Sequence, residues 1–169
     1  MNLDFVVSRA EPADVPGMAT VHVDTWRETY RGLMSDAVLD GPGLLRWREE
    51  FWAAALTDPL YDQNIAAVAS NEGPLIGIAM SGPPLAAGGP QELYLLYVYT
   101  AFHGSGVGPA LLHAVLERTA PAALWVADPN QRAQAFYRKH GFINDGAVKI
   151  ENGVREIRLV RAPDGTTSS

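Results

Sequence analysis

The chain has 169 residues, 47% hydrophobic and 19% charged, and no cysteine. That is one domain's length with apolar content enough for a core, which excludes overall disorder; the missing cysteine excludes disulfides, thiolate metal sites and a cysteine nucleophile. Lys plus Arg number 13 against 19 for Asp plus Glu, a formal charge of −6, so a nucleic-acid or anionic-membrane binder is disfavoured.

Residues 4–9 (DFVVSR) read as a short strand. A helical stretch over 12–30 follows, with Val15, Met18, Ala19, His22, Trp26, Thr29 and Tyr30 on one face at 100° per residue and Asp24, Arg27 and Glu28 on the other. Arg31-Gly32 stops it. A short helix (35–39) and a longer one (44–56) are divided by Gly41-Pro42-Gly43. Strands at 64–69 and 75–81 flank a turn at Asn71-Glu72-Gly73 and read as a hairpin. After a Pro/Gly/Ala loop over 82–90, residues 92–99 (ELYLLYVY) form a β-rich apolar run, then a glycine turn and a helix over 107–119. A short strand (124–126), a helix (130–140) ended by Gly141, and a hairpin (147–150 and 155–160) complete the domain. Residues 1–161 are one α/β domain with a mixed sheet, and 162–169 a polar tail. No basic-then-apolar leader and no run of about 20 apolar residues is present. The expectation is a soluble, cytoplasmic protein.

The turn His103-Gly104-Ser105-Gly106-Val107-Gly108 follows a strand and opens a helix. Glycines let backbone approach a ligand closely, and the free N–H groups of a helix start favour anions, so the turn suits a phosphate or pyrophosphate. It also serves as a plain tight connection. His22, His103, His113 and His140 are scattered without H-E-x-x-H spacing, so no metal site is expected. There is no G-x-S-x-G, no Walker lysine, and the order of elements before the turn differs from a Rossmann unit.

LYVYTAFHGSGVGPALLHAVL resembles motif A of the GNAT superfamily of N-acetyltransferases. LWVADPNQRAQAFYRKHGF, about 25 residues on, resembles that family's motif B. The resemblance runs over roughly residues 75–142 and implies a single GNAT-like domain with a mixed, mostly antiparallel sheet of about seven strands. It implies acetyl-CoA as co-substrate, no metal, and an amine of a small molecule or peptide as acceptor, with a homodimer left open. The alternative is a CoA-binding sensor or partner-binding module without catalysis.

Carried over by residue, Leu96, Tyr97 and Val98 would pair with the pantetheine arm, and His103, Gly104, Ser105, Gly106, Val107 and Gly108 would wrap the pyrophosphate. Asn130 would hold the pantetheine or phosphate side, and Tyr137 would sit near the thioester sulfur. His103 stands where relatives have Gln or Arg, and Gly104-Ser105 brings no cation. Fixed amides then do more of the anion binding. Amine acetylation needs a base, an oxyanion donor and an acid. A backbone N–H around Val98 is the donor. Tyr137 is the acid, or a packing aromatic beside Phe136. Glu92 is a base or ammonium anchor, or a solvated carboxylate at a strand start. His22 is a base, or a hydrogen-bonded core residue. Trp26 and Tyr30 line the acceptor pocket or belong to the core. Asp36, Asp40, Glu49 and Glu50 favour a cationic acceptor, or are ordinary solvated charges.

Overall fold

The computed structural model describes residues 3–163. The tail expected from 162 lies outside the described residues from position 164 on. Seven strands form one sheet: β1 (Val6–Arg9), β2 (Ile65–Ser70), β3 (Leu75–Gly82), β4 (Gln91–Val98), β5 (Ala122–Ala127), β6 (Ile143–Glu151) and β7 (Val154–Arg161). Their order is β1-β2-β3-β4-β5-β7-β6, and every neighbouring pair is antiparallel except β4 and β5. This is the mixed, mostly antiparallel sheet that the resemblance implied.

Helices α1 (Val15–Tyr30), α2 (Asp36–Leu39), α3 (Leu44–Thr57), α4 (Val107–Val115) and α5 (Gln131–Lys139) complete the fold. Met18, Ala19 and Val21 of α1 and Trp52 of α3 pack with Ala66, Val68, Ile78 and Met80 on one face of the sheet. Val107, Leu111, Leu112 and Val115 of α4, with Tyr137 and Phe142, pack with Ala79, Leu93, Leu124 and Ile157 on the other. Periodicity gave α1 a single apolar face, yet Val21, Val23 and Thr25 are buried as well. The reason is that α1 lies between the sheet and α3 and is covered on two sides.

Two boundaries differ from expectation. The helix expected to reach 119 ends at Val115, because Leu116 turns to extended backbone and drops its side chain into the core. The strand expected at 147–150 begins at Ile143; an irregularity between Asn144 and Val148, with Gly146 at φ +93°, hides its alternation. Among the described residues no helix is long and apolar enough to cross a membrane.

One feature of the sheet creates a site. Met80 is opposite Leu95 and Ser81 opposite Leu93, so Tyr94 is an extra residue, a bulge in β4. Up to that bulge, Gln91–Leu93 pair with Ala122–Leu124 of β5; beyond it they do not pair at all. β5 instead pairs along its whole length with β7. The sheet therefore splits open between two adjacent parallel strands.

Candidate active site

The split is the mouth of a cleft of about 510 Å³. Leu95–Val98 form one wall, Leu124–Ala127 the other, and the glycine turn with α5 closes one end. The N–H of Tyr99 donates to Ile76 of β3. Because backbone groups alternate sides along a strand, the N–H groups of Val98 and Leu96 face the split, where β5 offers no partner.

At the glycine turn, Gly104 and Gly106 have φ of +80° and +93°, conformations that a side chain would strain. Gly106 is the N-cap of α4. Among the described residues the N–H groups of Gly104, Gly106 and Gly108 have no protein acceptor, and Pro109 has no N–H to satisfy. These are unpaired donors at the positive end of a helix, aimed into a cleft. His103 also lines the cleft, and its Nε2 lies 2.9 Å from the Val98 carbonyl, to which it donates. That bond ties the turn to the end of β4. Ser105 faces the Phe102 carbonyl and Val107 is fully buried in the core, so the side chains of neither reach the cleft.

The glycine turn itself carries no cation, but Arg132 and Lys139, near the two ends of α5, both line the cleft. They were illegible because α5 lies some 25 residues past the turn, and only packing brings it there. Asn130 caps α5 by accepting from the Ala133 N–H at 3.1 Å, and it too lines the cleft.

Tyr137 lines the cleft wall and is 7% exposed. Burial, then the neighbouring Tyr97, pushes its phenol well above its ordinary range, so it is held protonated. Among the described residues its hydroxyl has no hydrogen-bond partner, which leaves its proton free to be donated. Tyr30 reaches the cleft from the end of α1, beside Tyr97. Trp26 does not; it is buried behind Tyr30, with ring centroids 6.0 Å apart.

The two base candidates stand outside the cleft lining. His22 is 3% exposed, and its Nδ1 accepts from Trp52 Nε1 at 3.1 Å. Burial, and secondarily the charge of Arg48, lower its pKa to about 3, so near neutral pH its free lone pair is committed to Trp52 and the ring is a poor proton acceptor. Glu92 sits at the start of β4, where it pairs with β5, before the split begins. Burial raises its pKa while a backbone hydrogen bond from Leu85 opposes the shift. The acidic residues of the first helices are taken up at the surface: Asp36 and Asp40 by Arg31, and Glu50 by Arg46.

Residues 43–161 match the acetyltransferase (GNAT) domain family. The chain is 32% identical over 143 residues to a Mycobacterium tuberculosis protein named a probable N-acetyltransferase, across 83% of this chain and 80% of that one. A Mycobacterium bovis protein named an uncharacterised N-acetyltransferase is 38% identical over 118 residues, 64% of this chain and 65% of its own length. Among solved structures, the fold is shared with the PaiA N-acetyltransferase of Thermoplasma acidophilum in complex with coenzyme A, at TM-score 0.71 and 17% identity over 92% of this chain and 98% of that one. It is likewise shared with an N-acetyltransferase from Staphylococcus aureus, at TM-score 0.71 and 19% identity over 92% and 99%.

Proposed function

The chain belongs to the GNAT acetyltransferase family, and from that premise we propose that it moves an acetyl group from acetyl-CoA to a primary amine of a small molecule or peptide, by direct attack with both bound. The observation that carries this is the split between β4 and β5, with unpaired strand amides on one side and unpaired helix-start amides at its end. An extended amide-containing arm can pair with the open edge of β4 as a strand would, while its phosphates meet the amides of Gly104, Gly106 and Gly108. Arg132 and Lys139 then supply the charge that the turn itself lacks.

The thioester, when bound, supplies the acetyl group and a thiolate leaving group. The Val98 N–H is a fixed donor where negative charge gathers on the carbonyl oxygen. Tyr137 donates its proton to the departing sulfur; its raised pKa keeps that proton available near neutral pH. The acceptor must lose a proton before attack. His22, at a pKa of about 3, cannot take it, and Glu92 precedes the split. We assign that proton to water in the open cleft.

The test is binding and turnover together. Acetyl-CoA should raise the melting temperature in proportion to ln(1 + [L]/Kd), and an amine panel should then release free thiol. Gly106→Asp sets a carboxylate beside the phosphates and should abolish the shift in a folded protein. Unchanged binding in that variant would sink the cofactor site. Binding without thiol release from any amine would leave a CoA-binding module instead.

A further inference from the structure

The split passes through the sheet, and its two faces differ in chemistry. Side chains alternate along a strand, so Leu124 and Val126 of β5 turn into the core beneath α4, while Trp125 between them turns to the face that carries α1. Tyr97 of β4 turns the same way, since its ring centroid lies 5.3 Å from that of His22 on α1. Tyr30, at the end of α1, hydrogen-bonds Tyr97 side chain to side chain. Tyr30, Tyr97 and Trp125 all line the cleft. The glycine turn and α5 hold the cofactor end on the other face, so these rings border the side left for the acceptor.

Charge on that side is already spoken for. Among the described residues that line the cleft there is no aspartate or glutamate; its charged and imidazole side chains are His103, Arg132, Lys139 and His140. The carboxylates bordering it are engaged. Lys149 of β6 holds Glu151 at 3.4 Å and Glu156 at 3.6 Å, and its ammonium lies 4.6 Å from the Trp125 ring centroid. Glu156 stands opposite Ala127, a residue of the cleft wall, in the β5–β7 register. Glu92, ahead of the split, accepts from the Leu85 N–H. A second positive charge on the acceptor would therefore lose water without gaining a carboxylate, and Lys149 already takes the indole face that could replace one. A flat apolar ring gains edge and face contacts with aromatic neighbours instead.

Resting on the acetyltransferase reading, we propose that the acceptor is a monoamine with an aromatic body, seated among Tyr30, Tyr97 and Trp125 with its amino group toward the split. Lys149 excludes diamines and polyamines by holding both the indole and the bordering carboxylates.

Matched amines test this: butylamine against phenethylamine, which adds a ring, and against putrescine, which adds a second ammonium. Each is assayed for thiol release and, with CoA bound, for binding by calorimetry. The wild type should favour phenethylamine over butylamine by about 10- to 100-fold in kcat/KM, and butylamine over putrescine by about tenfold or more. Trp125→Ala should shrink the first ratio chiefly through the acceptor's KM, with the KM for acetyl-CoA unchanged, and Trp125→Phe should restore most of it. Lys149→Met frees Glu151 and Glu156 and should raise putrescine relative to butylamine; an unchanged ratio there overturns the exclusion. If putrescine matches phenethylamine, or the ring adds nothing over butylamine, the aromatic subsite is overturned and the transferase reading stands. If no amine is acetylated yet phenethylamine binds and loses binding in Trp125→Ala, the subsite stands and the transferase reading falls. Should the Ala variant fail to fold, the wild-type ratios and Lys149→Met still decide.

Discussion

At the scale of single residues, the proposed chemistry is tested at one hydroxyl. Tyr137 packs its ring against Phe136 and Phe142, at centroid distances of 5.1 and 5.9 Å, while its hydroxyl makes no protein bond. Tyr137→Phe therefore keeps the packing, and its stability cost should stay under about 1 kcal/mol. If the phenol protonates the departing sulfur, kcat should fall by roughly 10²- to 10⁴-fold with acetyl-CoA binding unchanged. A fall under about threefold in steady-state kinetics would return Tyr137 to packing and make water the acid. His103 lines the cleft as its place in the motif suggests, and its ring also donates to the Val98 carbonyl at the end of β4. Residue type was legible there and that bond was not, because it depends on which carbonyl the folded strand leaves free.

At the scale of elements, α5 joins two tasks in one residue. Asn130 Oδ1 satisfies the Ala133 N–H and starts the helix, which leaves the Nδ2 group as its donor toward the cleft. Two substitutions separate these tasks. Asn130→Asp keeps the cap and removes the donor, so the unfolding free energy should hold while the acetyl-CoA Kd rises about tenfold, as for one lost hydrogen bond to a ligand. Asn130→Ala removes both, adding a loss of about 1 kcal/mol in urea unfolding. Equal acetyl-CoA affinity in Asn130→Asp and the parent would confine Asn130 to capping. β4 and α4 were readable as elements because an apolar β-rich run followed by a glycine turn is a local signal. The split between β4 and β5 was not. It follows from a single extra residue, Tyr94, and from β5 taking β7 as its full-length partner from more than 25 residues away.

At the scale of the whole molecule, His22 couples stability to pH. The folded ring has a pKa of about 3, against 6.5 when unfolded. Between those values the unfolded chain binds the extra proton. Stability is then complete above about pH 6.5 and is lost as the pH falls toward 3, by up to about 1.4 kcal/mol per pH unit. Carboxylates titrating lower down act in the same direction, so the informative quantity is a difference. His22→Asn retains an acceptor for Trp52 and does not titrate. Its deficit in unfolding free energy relative to the parent should shrink by about 2 kcal/mol between pH 7 and pH 5, as measured by chemical denaturation. Parallel pH slopes in the two proteins would mean that His22 titrates alike in the folded and unfolded chain, contrary to the lowered pKa.

By itself the sequence determined the family, the order of elements, and the glycine turn that opens α4. Those signals are local: glycines at fixed offsets, a β-rich run, a helix ending in Gly141. The tertiary structure alone decided which side chains share the cleft. It moved His22 and Trp26 into the core, left Glu92 before the split, and brought Arg132 and Lys139 to the cleft lining. The physical reason is range. A turn or a cap is satisfied within a few residues, whereas a side chain's exposure and charge partners depend on strands and helices far along the chain, which spacing does not encode.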